Sequence, residues 1–225
     1  MLRILSAITA AGLLATPVLA SDDPMKTIRK AEVVLTQSVS APDAGVPREL
    51  LEKAECIGIF PSVAKGAFIV GGQGGHGVFT CRQPDGEMGS PAFFSIGGPS
   101  VGWQFGGSST DLVLLVMNNE GMKHLLEDKF TIGGEAAAVA GPVGRSAHAQ
   151  TDAQLHAQIL SWSRSRGAFL GASLEGTVLK PDDDMTEEFY GRNVAARDIL
   201  IKHTVELPAA ARSFIAKTSE YARGS

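Results

Sequence analysis

The chain has 225 residues, 44% of them hydrophobic and 6% aromatic, with 20 lysines and arginines against 24 aspartates and glutamates. That length and apolar content suit one domain with a single core. The net charge of −4 excludes the basic field of a general nucleic-acid binder.

Residues 1–20 read as a secretory leader. Arg3 supplies a positive charge, Ile4 to Leu14 is mostly apolar, and Val18-Leu19-Ala20 offers a cleavage site. The apolar run is too short to span a bilayer as a helix. Cleavage near Ala20 would start the mature chain at Ser21, periplasmic or secreted. Losing Arg3 leaves 19 basic side chains (20 less one) against 24 acidic, a net charge of −5. Residues 21–225 then form one domain, with a core over about 47–191 and terminal helices over 24–38 and 194–221.

Asp23-Pro24 is a helix start, with Asp23 able to cap and Pro24 suited to the first turn. Ile28, Ala31, Val34 and Leu35 follow at helical spacing, with Lys26, Arg29 and Lys30 beside them. Ser40 to Gly45 breaks this helix, and a short one, Pro47 to Lys53, leads into strands. Strands are predicted over Cys56–Phe60, Ala67–Val70, Val78–Arg82, Ala92–Ile96, Val101–Phe105 and Thr110–Asn118. The last lacks alternation, as a central strand covered on both faces should. Pro84-Asp85-Gly86 is a turn. A helix is predicted over Gly121–Asp128. Strands resume around Phe130–Ile132, Glu135–Ala140, Leu155–Ser163 and Ala168–Leu174. Asp182 to Asp184 start a helical turn that ends near Gly191, and Val194–His203 and Pro208–Tyr221 read as two closing helices. The fold class is α+β: an antiparallel sheet or barrel-like core with N-terminal and C-terminal helices.

Cys56 and Cys81 flank the first glycine cluster. In an oxidising compartment an isolated pair of this kind reads as a disulfide, and two buried thiols are the alternative.

Several signatures must be weighed. Gly72-Gln73-Gly74-Gly75-His76-Gly77 matches the dinucleotide fingerprint, but that fingerprint must open a helix, and Val78 to Arg82 is strand-like. The glycines read better as part of a hairpin. Gly98-Pro99-Ser100-Val101-Gly102 matches a hydrolase nucleophile elbow, with Asp111, His124, His148 and His156 downstream. The elbow needs a strand-to-helix turn, and here strand follows, so a Ser100 hydrolase is the alternative and not the lead. His148, Asp152 and His156 would share one face if helical, a conceivable metal site, though a solvated surface is commoner. No metal and no cofactor is expected. Arg145, Arg164 and Arg166 could cluster as an anion patch, or stand solvated or paired with carboxylates. The first helix, with Ile28, Val33, Val34 and Leu35 beside Lys26, Arg29 and Lys30, has the makeup of an interfacial amphipathic helix. Packing its apolar side on the domain is the other reading, and both stay open.

Six separated blocks carry a resemblance: Ile57–Val63, Phe68–Gly72, Ser109–Leu115, Lys129–Gly134, Ala140–Arg145, and Ser161–Gly167 running on to Leu174-Glu175-Gly176. In this order they resemble the SYLF-domain family, found in yeast and animal actin-patch proteins and widespread in bacteria. The resemblance implies binding of membrane lipid, phosphoinositides in the eukaryotic members, with an amphipathic N-terminal helix involved and no catalytic residues. Carried onto this chain, it selects Lys26, Ile28, Arg29, Lys30, Val33, Val34 and Leu35. The mature chain is acidic and lacks a polybasic run, and an exported chain would meet neither actin nor phosphoinositides. The expected partner is an anionic phospholipid surface, with an envelope protein as the alternative.

Overall fold

The computed structural model describes residues 23–41, 45–67, 71–100, 106–134, 138–143, 157–165 and 168–223. Asp23 caps the first helix, α1 (Pro24–Ser40), its carboxylate accepting from the Met25 N–H at 2.8 Å. Thr27, Ile28, Ala31, Val34, Leu35 and Ser38 are buried along one stripe of it. A short α2 (Arg48–Lys53) leads into β1 (Cys56–Ala67), β2 (Gly71–Cys81), β3 (Ala92–Ser100) and β4 (Gly106–Val116). Then come α3 (Asn119–Leu125), β5 (Phe130–Thr131), β6 (Ala138–Ala140), β7 (Ile159–Ser165), β8 (Ala168–Gly171) and β9 (Val178–Pro181). Three helices close the chain: α4 (Asp183–Tyr190), α5 (Ala196–Leu200) and α6 (Arg212–Ala222), the last entered through a 3-10 turn at Ala209–Ala211.

The strands form one sheet in the order β5-β9-β3-β2-β1-β4-β7-β6, with β8 also paired to β7. Every pairing is antiparallel except β6 with β7. Helices cover both faces, and the period-two alternation of strand side chains builds two cores. Ile57, Ile59, Val78, Phe93, Val113 and Leu115 face α1, α2, α4 and α6. Phe60, Phe79, Phe94, Leu112, Leu114 and Val116 face α3, α5 and the segment carrying Phe130 and Ile132. Leu112 to Val116 are all fully buried, as the missing alternation of that strand predicted.

The glycine-rich stretch is where prediction and structure part. Gly72 to Gly77 lie inside β2 and Gly98 to Ser100 inside β3, so neither cluster is a hairpin connection. At two strand glycines, Gly77 and Gly58 on the neighbouring β1, aromatic packing requires the bare position. A Cβ on Gly77 would come within 2.4 Å of the Phe60 ring, and one on Gly58 within 2.3 Å of the Phe79 ring. Phe60, Phe79 and Phe94 pack edge to face across these bare positions, with centroids 5.8 and 4.9 Å apart.

Smaller differences concern boundaries. The strand predicted to end at Phe60 runs on to Ala67 past a bulge between Phe60 and Val63. There Ser62 takes φ 60°, in the left-handed region. The predicted helix 121–128 is shifted to Asn119–Leu125, capped by Asn118. That predicted over 194–203 shrinks to Ala196–Leu200. Residues 68–70 and 101–105 of two predicted strands lie outside the described residues, as does the leader.

Cys56 and Cys81 sit opposite each other on β1 and β2 and form a disulfide inside the second core. Next to it Arg82 donates to the carbonyls of Ala54, Glu52 and Leu51 behind α2, and to that of Ala222 at the end of α6. One guanidinium thereby serves the negative ends of two helices.

Candidate functional site

The exposed side of α1 is set by the same arithmetic as its buried side. Lys26, Arg29, Lys30, Val33 and Gln37 stand at i, i+3, i+4, i+7 and i+11, one stripe turned to solvent. Val33 is 54% exposed and Met25, one position outside the stripe, 39%. Ile28, Val34 and Leu35 are at most 3% exposed and pack into the first core. Of the four apolar residues predicted to meet a bilayer, only Val33 faces outward. The other three hold the helix to the domain, because α1 lies across β1, β2 and β4 and against α6. Sequence reasoning missed Met25.

The charges of this stripe are unusual for a helix start. α1 has no acidic residue in its first turn, and Lys26, Arg29 and Lys30 sit at its positive end. Among the described residues none of the three pairs with a carboxylate. Lys26, in the first turn, opposes the dipole beside the Asp23 cap, and none of the three cations gains a local ion pair among the described residues. They create an anion-attracting face on a chain of net charge −4.

At the foot of the stripe a recess of about 290 Å³ opens between α1 and the β1 bulge. Arg29, Lys30 and Val33 line it from the helix, Pro61 and Ser62 from the bulge, and Arg164 from β7. Asp111 on β4 fixes its floor. One carboxylate oxygen accepts the Ser62 N–H at 2.8 Å, which holds the left-handed turn. The other accepts Arg164 Nε at 2.8 Å and also the Nη2 of the same guanidinium. Arg164 further donates to Gln37 of α1 and lies over the Phe169 ring, 5.4 Å from its centroid. A groove of about 460 Å³ continues along α1 past Glu32, Thr36 and Gln37.

Of the predicted anion patch, Arg164 is therefore carboxylate-paired while still lining the basic recess, and Arg145 and Arg166 lie outside the described residues. Ser100 ends β3 opposite Gly71 in an antiparallel pair, the next strand begins at Gly106, and residues 101–105 between them lie outside the described residues. Asp111 is engaged by Ser62 and Arg164, and His124 by Glu127 at 3.1 Å. His148, Asp152 and His156 lie outside the described residues, and among those described no three metal-ligating side chains cluster. His76, within the fingerprint-like run, bridges instead to Asp182, Nδ1 to Oδ2 at 2.6 Å. That hydrogen bond holds the Asp182 carboxyl below its ordinary value against the opposing effect of burial. Among the described residues no helix is long and apolar enough to cross a membrane.

The family model of Ysc84, described as "Las17-binding protein actin regulator", matches residues 97–221. The chain is 31% identical to SH3 domain-containing YSC84-like protein 1 of Homo sapiens over 168 residues, 74% of this chain and 49% of that protein. It is 30% identical to LAS seventeen-binding protein 3 of Saccharomyces cerevisiae over 206 residues, 87% and 45% of the two chains. To Protein YSC84 of the same yeast it is 31% identical over 181 residues, 79% and 38%. It spans about half the length of the curated relatives it matches, or less. Asp111 and Arg164 fall within the residues the family model matches, and α1 lies before them.

Proposed function

The chain belongs to the Ysc84, or SYLF-domain, family, and from that premise we propose that it is an exported, non-catalytic module that binds anionic membrane surfaces. The exposed face of α1 does the binding. Lys26, Arg29 and Lys30 meet lipid headgroups, Val33 and Met25 dip beside them, and the rest of the helix stays packed on the sheet. The observation that carries this reading is the uncompensated cationic stripe flanked by exposed apolar side chains. Only a few side chains touch the surface, so the attraction is mainly electrostatic and sensitive to salt.

Export is supported by the leader-like residues 1–20 and by the Cys56–Cys81 disulfide, which persists in oxidising compartments and is rare in reducing ones. A periplasmic or secreted chain meets phosphatidylglycerol-type lipids, so the binding stated in the name of LAS seventeen-binding protein 3 is not carried over. An envelope protein docking on the same stripe is the competing reading.

Partition onto vesicles discriminates between them. Association with phosphatidylglycerol vesicles, weak association with phosphatidylcholine vesicles, and a steep loss at raised salt are expected. Equal partition on both vesicle types, or none on either, would sink the membrane reading. Deleting α1 is not a useful test, because it would strip Ile28, Val34 and Leu35 from the core.

A further inference from the structure

We propose that the recess between α1 and the β1 bulge seats the phosphate of one amphiphile at a time, a phosphate ester carrying an apolar tail. This rests on the membrane reading and deepens it: the stripe meets a charged surface, whereas the recess takes a single headgroup.

Three cations, Arg29, Lys30 and Arg164, line the recess against one carboxylate, Asp111, which leaves it with two uncompensated positive charges. Arg164 is already oriented. Asp111 takes its Nε and one Nη2 proton, and Gln37 takes one from Nη1. A guanidinium has five N–H groups, so each terminal nitrogen keeps one free of any partner among the described residues. Those two N–H groups, one on each terminal nitrogen, are left to donate to the oxygens of a phosphate. Arg29 and Lys30 add unpaired charge from the helix side, and Val33 and Pro61 supply apolar wall for the tail. About 290 Å³ accommodates a headgroup and not a whole lipid, so the chains stay with the bilayer. Asp111 acts as a positioning residue, holding both Arg164 and the Ser62 turn in place.

The test uses the full chain with dihexanoyl phosphatidylglycerol below its micelle concentration, followed by calorimetry, beside glycerol phosphate and phosphatidylglycerol vesicles. One-to-one saturation by the short-chain lipid is expected, with glycerol phosphate clearly weaker because it has no tail. Arg164→Gln should weaken short-chain binding about tenfold or more, the size of a lost charge-assisted pair. Arg29→Gln, at an exposed position that cannot upset folding, should weaken it as well. Lys26→Gln, outside the recess, should lower vesicle binding and leave the short-chain affinity unchanged. Vesicle binding without short-chain saturation overturns the recess and leaves the stripe standing; absence of both overturns both. Glycerol phosphate binding as tightly as the short-chain lipid overturns the amphiphile, and equal binding by Arg164→Gln and Arg29→Gln overturns the site.

Discussion

Asp182 shows how one side chain can join three elements. Its carboxylate caps α4 by accepting the first-turn amide of Met185 at 3.1 Å and reaches His76 on β2, while the chain arrives from β9. Its carboxyl is held below its ordinary value, chiefly by the His76 hydrogen bond. A carboxylate with a depressed folded pKa contributes stability above its unfolded value, and loses that contribution as pH falls through the folded one. Thermal melts should therefore show a fall in Tm as pH drops below about 4, the ordinary range for an aspartate. Asp182→Asn should melt lower at neutral pH and show a shallower acid fall. An unchanged acid limb in that variant would remove Asp182 from the explanation. Asp111 is tied just as closely, but to a long-range partner: Arg164 is 53 positions away along the chain. Nothing in local spacing announces that pair, which is why Arg164 could be read from sequence only as one of three arginines.

The elements were legible in unequal measure. Asp23-Pro24 and the buried spacing of Ile28, Ala31 and Leu35 predict α1 nearly to its observed ends. Its two faces are harder to separate, because Val33 and Val34 adjoin in sequence while adjacent helical residues point about 100° apart. Counting seven from Lys26 places Val33 on the basic side. The glycines of β2 misled for a different reason. Glycine is the default residue of turns, and the alternative, a bare strand position under an aromatic ring, depends on partners on other strands. Substitutions separate the two roles. Gly77→Ala presses on Phe60 and on the Ile59 carbonyl and should cost about 1–3 kcal/mol, or about 3–10 °C in Tm. Gly74→Ala, whose new Cβ would come no nearer than 3.7 Å to the Ile96 carbonyl, should melt within a degree or two of the parent. Equal losses at both positions would contradict the packing explanation.

For the whole molecule, the sheet is a platform covered on both faces by helices. The α+β class with helices at both ends was readable from strand punctuation and helix caps. The sheet order and the recess were not, because they arise from contacts across the sheet. The disulfide ties β1 to β2 across a separation of 25 residues and constrains the unfolded chain by about 3 kcal/mol. Replacing Cys56 and Cys81 together by alanine should lower Tm by about 6–12 °C, a loss that reductant reproduces in the parent. The central claim is that three cations on α1, unpaired among the described residues, bring the protein to anionic membranes. Its most direct test is the affinity of the Lys26→Gln, Arg29→Gln, Lys30→Gln variant for phosphatidylglycerol vesicles, measured beside its Tm. All three residues are exposed, so Tm should not move. At about 1 kcal/mol per cation, vesicle affinity should fall about a hundredfold. Parent-like affinity in a variant of parent-like Tm would contradict the claim.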